Sequence, residues 1–559
     1  MKKNSYLFVV AIFLNGMLNA QCGETNEERV LLVGDSWANF MNVDQTFNKV
    51  FDIWGHSRYT YYSNSTLAVN GAETNDFLLP AKKNEITTQL TNRPTIKIVH
   101  LSLGGNDVLG GWNTSYTAFR TDSLLDTVNT RLLTIVNFIK NVRPDIHVVI
   151  SGYVYTNFEE VITTFASPSS HPFYNKWQGM GAPNNLALNT LLNRFSDTLK
   201  YKVANDPRIT FIKATGLMQN IFGQITPLAV APNGTYSVGA ATLPKGFDNY
   251  PSPKTSMRNY GIFLDCFHLS TAGYNAFISY QTQKYYHKAL MDNYYVLSEG
   301  GNRDGSITST GVISNALTIG ETAGINYHTA LSFNTTSMSN TTIASANIFL
   351  RRKTLTSGTN PFVNNSIPVE VKIIHGKFGT TPDVEATDYT ALAGATETLC
   401  IYGSYTNNND WLRIDLSPTM IQQLYSGDIT QFLITIPTAS AGVVDYYDSS
   451  NPEFAPVLNV KYGLQAGISE ITKSNYDSNF TLYPNPANDK IDITLNNVSE
   501  TIENISIINS LGQSISFGQL NKTNHSQVLD ISSLKNGLYF ITVTTTSGKR
   551  SSSLVNKLD

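Results

Sequence analysis

Charged residues are scarce in this sequence. Asp, Glu, Lys and Arg make up 14% of its 559 residues, and the formal net charge is -3. So little net charge gives no electrostatic reason to expect a nucleic-acid partner. Cysteine is rarer still: Cys22, Cys266 and Cys400 give neither a disulfide framework nor the spacing of a zinc site. We therefore expect packing to hold the fold together, with no metal and no cofactor.

Long apolar runs are missing after the N-terminus. There, two lysines precede an apolar run from Tyr6 to Leu18, and Ala20 follows. This pattern predicts a secretory signal peptide over residues 1–20. The run is short for a membrane anchor, and the glutamine before Cys22 does not fit a lipoprotein. No later segment is apolar enough to span a bilayer, so we expect an exported mature chain without a transmembrane segment.

The abundant residue types favour an extracellular protein rich in β-structure, because Asn, Thr, Ser and Gly are plentiful. The length suggests about three domains. Residues 21–293 alternate between strand and helix patterns and predict an α/β/α doubly wound domain. Residues 294–463 predict a β-sandwich with a jelly-roll-like pattern, 464–478 a linker, and 479–559 a small C-terminal β-sandwich.

Several predicted strands of the first domain end in glycine and polar residues. A buried strand over residues 30–33 runs into Gly34-Asp35-Ser36, and a helix pattern continues to residue 51. A second short strand over residues 67–70 ends at Gly71. A third, over residues 96–103, runs into Gly104-Gly105-Asn106-Asp107. Later strands are predicted at 147–151, at 209–212 as a further central strand, and at 265–270, and helices at 121–142, 186–203 and from 272 towards 291.

These strand ends hold a set of groups suited to acyl transfer. Open α/β sheets bind ligands at the carboxyl edge of their strands. A serine there, Ser36, can act as a nucleophile if a base reaches it. Gly71 lets a backbone N–H approach an oxyanion, and Asn106 can aim a side-chain donor at the same point. In Asp265-x-x-His268 the carboxylate can hold one ring nitrogen while the other faces the serine.

Other polar residues in these stretches have simpler interpretations. Asp107 more plausibly braces a turn than takes part in chemistry. His100 and His147 lie inside strand patterns and are expected to be satisfied core or edge histidines. Cys266 could be a nucleophile, but no second base is near in sequence, which favours a small buried residue.

Taken together and in this order, the four blocks resemble the SGNH (GDSL-like) hydrolase family over roughly residues 29–293. The resemblance implies that Ser36 is the nucleophile, His268 the base and Asp265 the residue that orients it. It also implies an oxyanion hole made by the backbone N–H groups of Ser36 and Gly71 and the side chain of Asn106. Trp37 replaces the leucine of the family's short name, which leaves the triad intact and bears on the pocket wall.

Two long segments, residues 155–180 and 226–260, interrupt the strand and helix pattern. Loops of this length are usually functional. Aromatic faces among Asn and Asp suit sugar rings, whereas a lipid chain would need a continuous aliphatic lining; the aromatics could equally pack the loops down. The aromatic residues concerned are Phe173, Tyr174, Trp177, Tyr236, Phe247, Tyr250 and Tyr260.

We therefore favour a secreted serine esterase that removes O-acetyl groups from carbohydrate, with an acylated carbohydrate or another ester as substrate. The alternatives are a lipase, phospholipase or thioesterase of the same family, or a surface protein that binds glycans without turnover.

The middle segment, residues 294–463, has short alternating runs separated by Thr, Ser, Asn, Gly and Pro. Its last strand, 457–462, loosely resembles the closing strand of jelly-roll modules on secreted bacterial carbohydrate-active proteins. Either a sugar-binding module or a spacer fits. A polysaccharide pull-down of this segment would separate the two.

The tail opens with Tyr483-Pro484-Asn485-Pro486-Ala487, has a turn at residues 511–513 and a strand over 537–543. These features closely resemble the C-terminal sorting domain of the type IX secretion system of Bacteroidetes. The resemblance implies the type IX secretion machinery as a partner and a secreted or surface-attached location. Another sugar-binding sandwich is the alternative.

Overall fold

The computed structural model describes residues 24–339, 341–362, 369–404, 406–436, 442–463, 480–509, 514–515, 524–547 and 550–558. The chain divides into two compact units, Met1–Gln465 and Ala466–Asp559. The predicted signal peptide (1–20), linker (464–478) and turn at 511–513 lie outside the described residues.

The first unit begins with a five-stranded, all-parallel sheet in the order β2-β1-β3-β4-β5. Residues 30–33 of β1 are fully buried, as their unbroken apolar run predicts. Gly34 of β1 is level with Ser102 of β3, so both strands end at the same edge. The strands are β1 (Glu27–Gly34), β2 (Tyr59–Tyr62), β3 (Ile98–Ser102), β4 (His147–Ser151) and β5 (Ile209–Ile212).

Helices cover both faces of this sheet, which makes the domain α/β/α. On one face α3, α4, α5 and α9 contact α6; on the other α2 and α10 contact α11. After α11 the chain continues through a π-helical turn, Thr282–Tyr286. The helices are α1 (Ser36–Val43), α2 (Thr46–Ile53), α3 (Thr74–Leu78), α4 (Pro80–Asn92), α5 (Gly105–Gly111), α6 (Ala118–Val142), α7 (Phe158–Thr163), α8 (Tyr174–Gly179), α9 (Asn185–Val203), α10 (Leu217–Phe222), α11 (Thr271–Gln281) and α12 (His287–Ala289).

Three predicted elements of this domain differ in the structure. The strand predicted to be central, β5, is the outer strand of the sheet, because the next strand pair along the chain, 257–259 with 264–269, forms a separate hairpin and does not extend the sheet. The helix predicted from residue 36 to 51 is two helices, because Gln45 adopts a left-handed backbone (φ 54°) between them. The strand predicted over residues 67–70 forms only an isolated bridge from Ala68 to Gly34. The Asn64 carboxamide accepts the N–H groups of Thr66 and Leu67, which turns this segment, and β2 takes the edge position instead.

A β-sandwich follows within the same unit. One sheet has the order β8-β20-β13-β17-β16, and the other β15-β14-β18-β12-β11-β19-β13. Strand β13 belongs to both, since residues 343–351 pair with β20 and β17 and residues 352–358 with β19. A hairpin, β6 (Met257–Asn259) and β7 (Leu264–Leu269), precedes it in the first domain. The sandwich strands are β8 (Tyr294–Leu297), β9 (Gly305–Thr308), β10 (Ile313–Ser314), β11 (Leu317–Thr322), β12 (Ile325–Asn334), β13 (Ile343–Gly358), β14 (Val369–His375), β15 (Ala395–Leu399), β16 (Ile401–Tyr402), β17 (Trp411–Asp415), β18 (Ile429–Thr435), β19 (Gly442–Tyr446) and β20 (Val457–Tyr462), with one short helix, α13 (Pro418–Ile421).

The sandwich packs directly on the parallel-sheet domain. Trp411 stacks on Trp54 with ring centroids 5.8 Å apart, and the Arg413 guanidinium donates to the Gly55 carbonyl at 3.1 Å. Phe349 and Trp411 join the hydrophobic core of the first domain. The boundary predicted between residues 293 and 294 lies inside this unit and stays a prediction.

The cysteines depart from the expectation. Cys400 is disulfide-bonded, so packing is not the sole constraint on the fold. Cys266 is free and fully buried.

The second unit is a small antiparallel β-sandwich. Its sheets have the orders β21-β22-β25 and β24-β23-β26-β27, and Ile491, Ile493, Ile507 and Ile541 lie in the core between them. The strands are β21 (Phe480–Tyr483), β22 (Lys490–Leu495), β23 (Ile502–Asn509), β24 (Ser514–Ile515), β25 (Ser526–Asp530), β26 (Gly537–Thr545) and β27 (Arg550–Lys557). In the part of the chain that the structure describes, no helix combines the length and apolar character needed to cross a bilayer.

Candidate active site

Ser36 lies on the sharp turn that joins β1 to α1. The Asp35 carboxylate caps the helix by accepting the Trp37 N–H at 2.9 Å, and the Asp35 N–H donates to the Ser102 carbonyl at 2.9 Å. A Cβ on Gly34 would lie 1.9 Å from that carbonyl oxygen, so glycine is the one residue that fits. The close approach of β1 to β3 thus fixes the position of the serine.

His268 and Asp265, both on β7, form a hydrogen-bonded chain with Ser36. The distance from His268 Nε2 to Ser36 Oγ is 2.7 Å, and from His268 Nδ1 to Asp265 Oδ2 it is 2.9 Å. The other carboxylate oxygen of Asp265 accepts the N–H groups of Phe267 and His268, each at 2.9 Å. The Asp265 carboxylate is therefore held by backbone N–H groups of its own strand while it orients the imidazole of His268.

Asn106 lies in the first turn of α5 and lines a small pocket together with Ser36. Its side-chain amide donates to the Ala72 carbonyl at 3.0 Å. Because an amide carries two N–H groups, one remains for a ligand. Gly71, with φ 76°, precedes Ala72 and is not part of the pocket lining.

Two backbone donors border this region. In the part of the chain that is described, the N–H groups of Ser36 and Gly71 have no hydrogen-bond acceptor. Unpaired backbone donors are available to a ligand oxygen that reaches them.

Asp107 braces the Gly71 loop, as the sequence predicts. Its carboxylate accepts the Thr74 N–H at 2.9 Å and the Thr74 hydroxyl at 2.6 Å, and Arg131 lies 3.7 Å away. Asn106 and Asp107 therefore hold the same loop from consecutive positions of one helix.

Tyr153 is a site residue that the sequence did not reveal. Its hydroxyl donates to Asp35 Oδ2 at 2.5 Å and accepts the Gly105 N–H at 3.1 Å. It thereby links the Ser36 turn to the start of α5. Burial raises the pKa of Asp35 to about 6, while the Tyr153 and Trp37 hydrogen bonds oppose that rise. Tyr153 follows β4 at the same edge of the sheet as Ser36, and this position is the one feature of the sequence that could have indicated it.

The other titratable residues named in the sequence have structural roles. His100 Nδ1 lies 2.7 Å from the Tyr286 hydroxyl in the core, and burial lowers the pKa of His100 to about 3. His147 pairs with the Thr210 hydroxyl at 2.9 Å. Burial raises the pKa of the Cys266 thiol. His147 and Cys266 agree with the predictions made for them. His100 is a core histidine as predicted, but it is only half satisfied, because its Nε2 is buried without a hydrogen-bond partner among the described residues. Among the residues described, no group of three or more His, Cys, Asp or Glu side chains could hold a metal ion.

The loop aromatics divide into two groups. Tyr236, Phe247 and Tyr250 pack against one another with centroids 5.0–5.8 Å apart, and Trp177 is buried, so these rings stabilise loops. A second group of aromatic rings reaches the site. The ring centroids of Phe267 and His268 are 4.1 Å apart. From Phe267 a row of contacting rings continues through Phe173, Phe263 and Tyr260.

The pocket beside Ser36 is small, about 20 Å³. Apolar side chains close it around the serine. Its lining includes Trp37, Leu109, Tyr153, Val154, Leu192 and Phe267.

Comparison with known proteins relates two parts of the chain to families. Residues 21–280 match the GDSL-like lipase/acylhydrolase family, and residues 481–557 match the secretion system C-terminal sorting domain. The sorting domain points to secretion or cell-surface attachment. A search of curated proteins gives no match.

Solved structures that resemble the chain align with about half of it. A GDSL-like lipase from Bacteroides thetaiotaomicron is 15% identical with a TM-score of 0.27, covering 49% of this chain and 96% of its own. A family 3 carbohydrate esterase from Clostridium thermocellum is 14% identical (TM-score 0.25; 47% and 98% covered). An extracellular lipase from Streptomyces rimosus is 15% identical (TM-score 0.26; 46% and 99% covered).

The four sequence blocks, the doubly wound fold and the family match agree: residues 21–280 are similar to the GDSL-like lipase/acylhydrolase family, and residues 481–557 to the secretion system C-terminal sorting domain.

Proposed function

We propose that the chain is an exported serine esterase that removes small acyl groups, foremost acetyl, from carbohydrate. The observation that carries this proposal is the hydrogen-bonded chain from Asp265 through His268 to Ser36, with distances of 2.9 and 2.7 Å. A nucleophile in contact with a base that a third group orients is the arrangement that acyl transfer requires.

In the proposed mechanism Ser36 Oγ attacks the ester carbonyl while His268 Nε2 takes its proton. Asp265 keeps the Nδ1–H directed at itself and stabilises the imidazolium. The alcohol leaves with the proton from Nε2, and water then attacks the acyl-serine by the same route. The carboxylic acid is released and Ser36 is restored.

The oxyanion would receive three donors: the backbone N–H groups of Ser36 and Gly71 and the second N–H of the Asn106 amide. The first two are unpaired among the described residues, and the third belongs to an amide whose other N–H is held by Ala72. Donors fixed before the substrate arrives need no reorganisation during the reaction.

The size of the pocket supports a short acyl group. A cavity of about 20 Å³ is slightly more than the roughly 10–15 Å³ that one water needs. An acetyl methyl is of this size, whereas a long acyl chain does not fit inside the pocket.

The row of aromatic rings that leads from Phe267, at the pocket, to Tyr260 supports a sugar as the alcohol component of the ester. Phe267 lies against His268, and Tyr260, at its outer end, is 43% exposed. Flat aromatic faces bind the apolar face of a sugar ring while its hydroxyls stay in water.

Substrate competition tests this proposal on the full chain. We expect acetate release from acetylated xylan and faster hydrolysis of p-nitrophenyl acetate than of p-nitrophenyl palmitate. Faster hydrolysis of the palmitate would favour a lipase. Retention on glycan without any turnover would favour a binding protein.

For export, we propose that the N-terminal segment directs the chain across the inner membrane and that the tail passes it to the type IX machinery. The match of residues 481–557 to the sorting domain supports this route. Deletion of residues 479–559 should leave active enzyme in the periplasm, and normal export of the shortened chain would contradict the proposal.

A further inference from the structure

A groove of about 1060 Å³ lies between the parallel-sheet domain and the sandwich. It runs along β5, which is the outer strand of its sheet, and is closed by α9, α10 and the end of α11. The sandwich contributes Arg351, Asn409 and Phe454. None of the lining residues belongs to the Ser36 pocket. The volume is at the upper end of the roughly 300–1,000 Å³ typical of ligand sites, so it holds several sugar units.

The charged side chains that line this groove are all positive. Its lining contains four cationic side chains and no carboxylate: Lys200, Lys213, Lys284 and Arg351. Lys213 pairs with Asp197 at 2.6 Å and Lys284 with Glu453 at 3.4 Å, and both acids lie outside the lining. Among the described residues neither Lys200 nor Arg351 has an ion pair. In a chain whose net charge is -3, this is a local positive field that attracts an anion.

Arg351 carries much of this field. Its guanidinium lies 3.7 Å from the centroid of Phe454 and 5.6 Å from that of Trp54, and its Nε donates to the Asn409 carbonyl at 3.2 Å. Its Nη1 has no hydrogen-bond partner in the described chain. The charge is therefore held in place by aromatic rings; the carboxylates of Glu453 and Asp410 act on it electrostatically, but among the described residues neither forms an ion pair with it.

The rest of the lining is suited to sugars. Phe211, Tyr280 and Phe454 supply aromatic faces, and Asn220, Ser279 and Gln283 supply amide and hydroxyl groups. Aromatic and hydroxyl-binding groups beside uncompensated cations fit a sugar ring that bears a carboxylate.

We propose that this groove binds an acidic polysaccharide segment whose sugars carry carboxylates, and so holds the polymer while Ser36 acts on its ester groups. The choice of a polysaccharide rests on the proposed esterase function; the choice of an acidic one rests on the charge of the groove. Because the sandwich supplies one wall, it is a binding element and more than a spacer.

Binding is measured on the full chain carrying Ser36→Ala, so that turnover does not enter. The probes are a galacturonate hexasaccharide and a neutral galactose hexasaccharide, titrated by calorimetry at low and at moderate salt. We expect binding of the acidic probe, weakened by salt, and at least tenfold weaker binding of the neutral probe. The double variant Lys200→Gln/Lys284→Gln should raise the Kd for the acidic probe about tenfold.

Lys202→Gln is the matched control: it lies on the same helix as Lys200, pairs with Asp126 and does not line the groove. It should leave the Kd unchanged. When Ser36 is left in place, the double variant Lys200→Gln/Lys284→Gln should hydrolyse p-nitrophenyl acetate at the same rate as the unsubstituted chain.

Equal affinity for both hexasaccharides, no binding of the acidic one, or a double variant with unchanged affinity would overturn the inference. Binding to phosphatidylglycerol vesicles with no affinity for either sugar would assign the groove to membranes and also overturn it. Acidic binding without esterase activity would instead refute the proposed function and leave the groove assignment intact.

Discussion

Asp35, in the parallel-sheet domain, and Asp304, at the start of the sandwich, are both buried aspartates whose pKa burial raises to about 6. Both also accept backbone N–H groups: Asp35 from Trp37, and Asp304 from Ser332 at 2.8 Å and Gly300 at 3.0 Å. They differ in what lies beside them.

Next to Asp35 several groups from separate strand ends meet at one point, namely Ser36, His268 and the Tyr153 hydroxyl. Asp304 ties a single loop to β12, and its neighbour Ser332 donates its hydroxyl to Glu299. A raised pKa therefore marks burial in both regions, and only the convergence of donors and a base marks a reactive site.

The two serines beside these aspartates should separate the regions most strongly. Ser36→Ala removes the nucleophile and should lower kcat/KM on p-nitrophenyl acetate by about 10⁴-fold or more. Ser332→Ala, the matched control, should retain full activity. Comparable activity of both variants would show that the Ser36 region is not the reactive one.

Asn106→Ala should have the next largest effect, because it removes one proposed oxyanion donor. We expect kcat to fall by about 10²–10³-fold with little change in KM. Asn220 also donates its amide to a backbone carbonyl, that of Ala241 at 2.8 Å, but it lies outside the pocket. Asn220→Ala should therefore leave kcat unchanged in the same assay.

Tyr153→Phe should have a smaller effect that depends on pH. It keeps the ring against Trp37 and removes the hydrogen bonds to Asp35 and from Gly105. Losing the bond that lowers the pKa of Asp35 raises that pKa, so we expect the Asp35 carboxyl to take up its proton at a higher pH, as an NMR titration of its carboxyl carbon can measure. We also expect a loss of about tenfold in kcat at neutral pH.

Tyr155→Phe is the control for this variant. Its hydroxyl donates to the Lys245 carbonyl at 2.6 Å, away from Asp35. An unmoved titration of Asp35 in Tyr153→Phe, or the same shift in both variants, would remove Tyr153 from the site.

Asp304→Asn should leave the activity unchanged and alter stability alone. A carboxyl with a folded pKa near 6 and an unfolded pKa near 3.8 holds its proton more tightly when folded. The free energy of unfolding therefore falls as pH rises from about 4 to about 6, by about 3 kcal/mol. In Asp304→Asn that slope should flatten, as urea titrations across this range can measure. An unchanged slope would mean that Asp304 ionises normally.

The sequence allowed the position of Ser36 to be predicted, because an apolar strand followed by polar residues marks the carboxyl edge of a parallel sheet. Asp265 and His268 lie on the separate hairpin strand β7 and were predicted from their spacing and from the family resemblance. It did not reveal Tyr153, since a tyrosine after a strand has no signature until its hydroxyl is seen between Asp35 and Gly105. The edge strand was misplaced because the Asn64 turn competes with the apolar run at residues 67–69.

The sandwich was predicted in type from alternation and turn residues, and its closing strand, β20, covers the predicted residues 457–462. The sharing of β13 between two sheets was not predictable, because it depends on register shifts near Thr354 and Ser357 that leave no mark on the alternation. Nor could the groove be predicted, since Lys200, Lys284 and Arg351 meet only when the two domains pack together.

The most direct test of the proposed active site is the labelling of the full chain with a fluorophosphonate, followed by mass spectrometry of the digested protein. We expect a single adduct on Ser36, greatly reduced in His268→Ala and unaffected in Ser332→Ala. No adduct, or an adduct on a different residue, would contradict the assignment of Ser36 as the nucleophile.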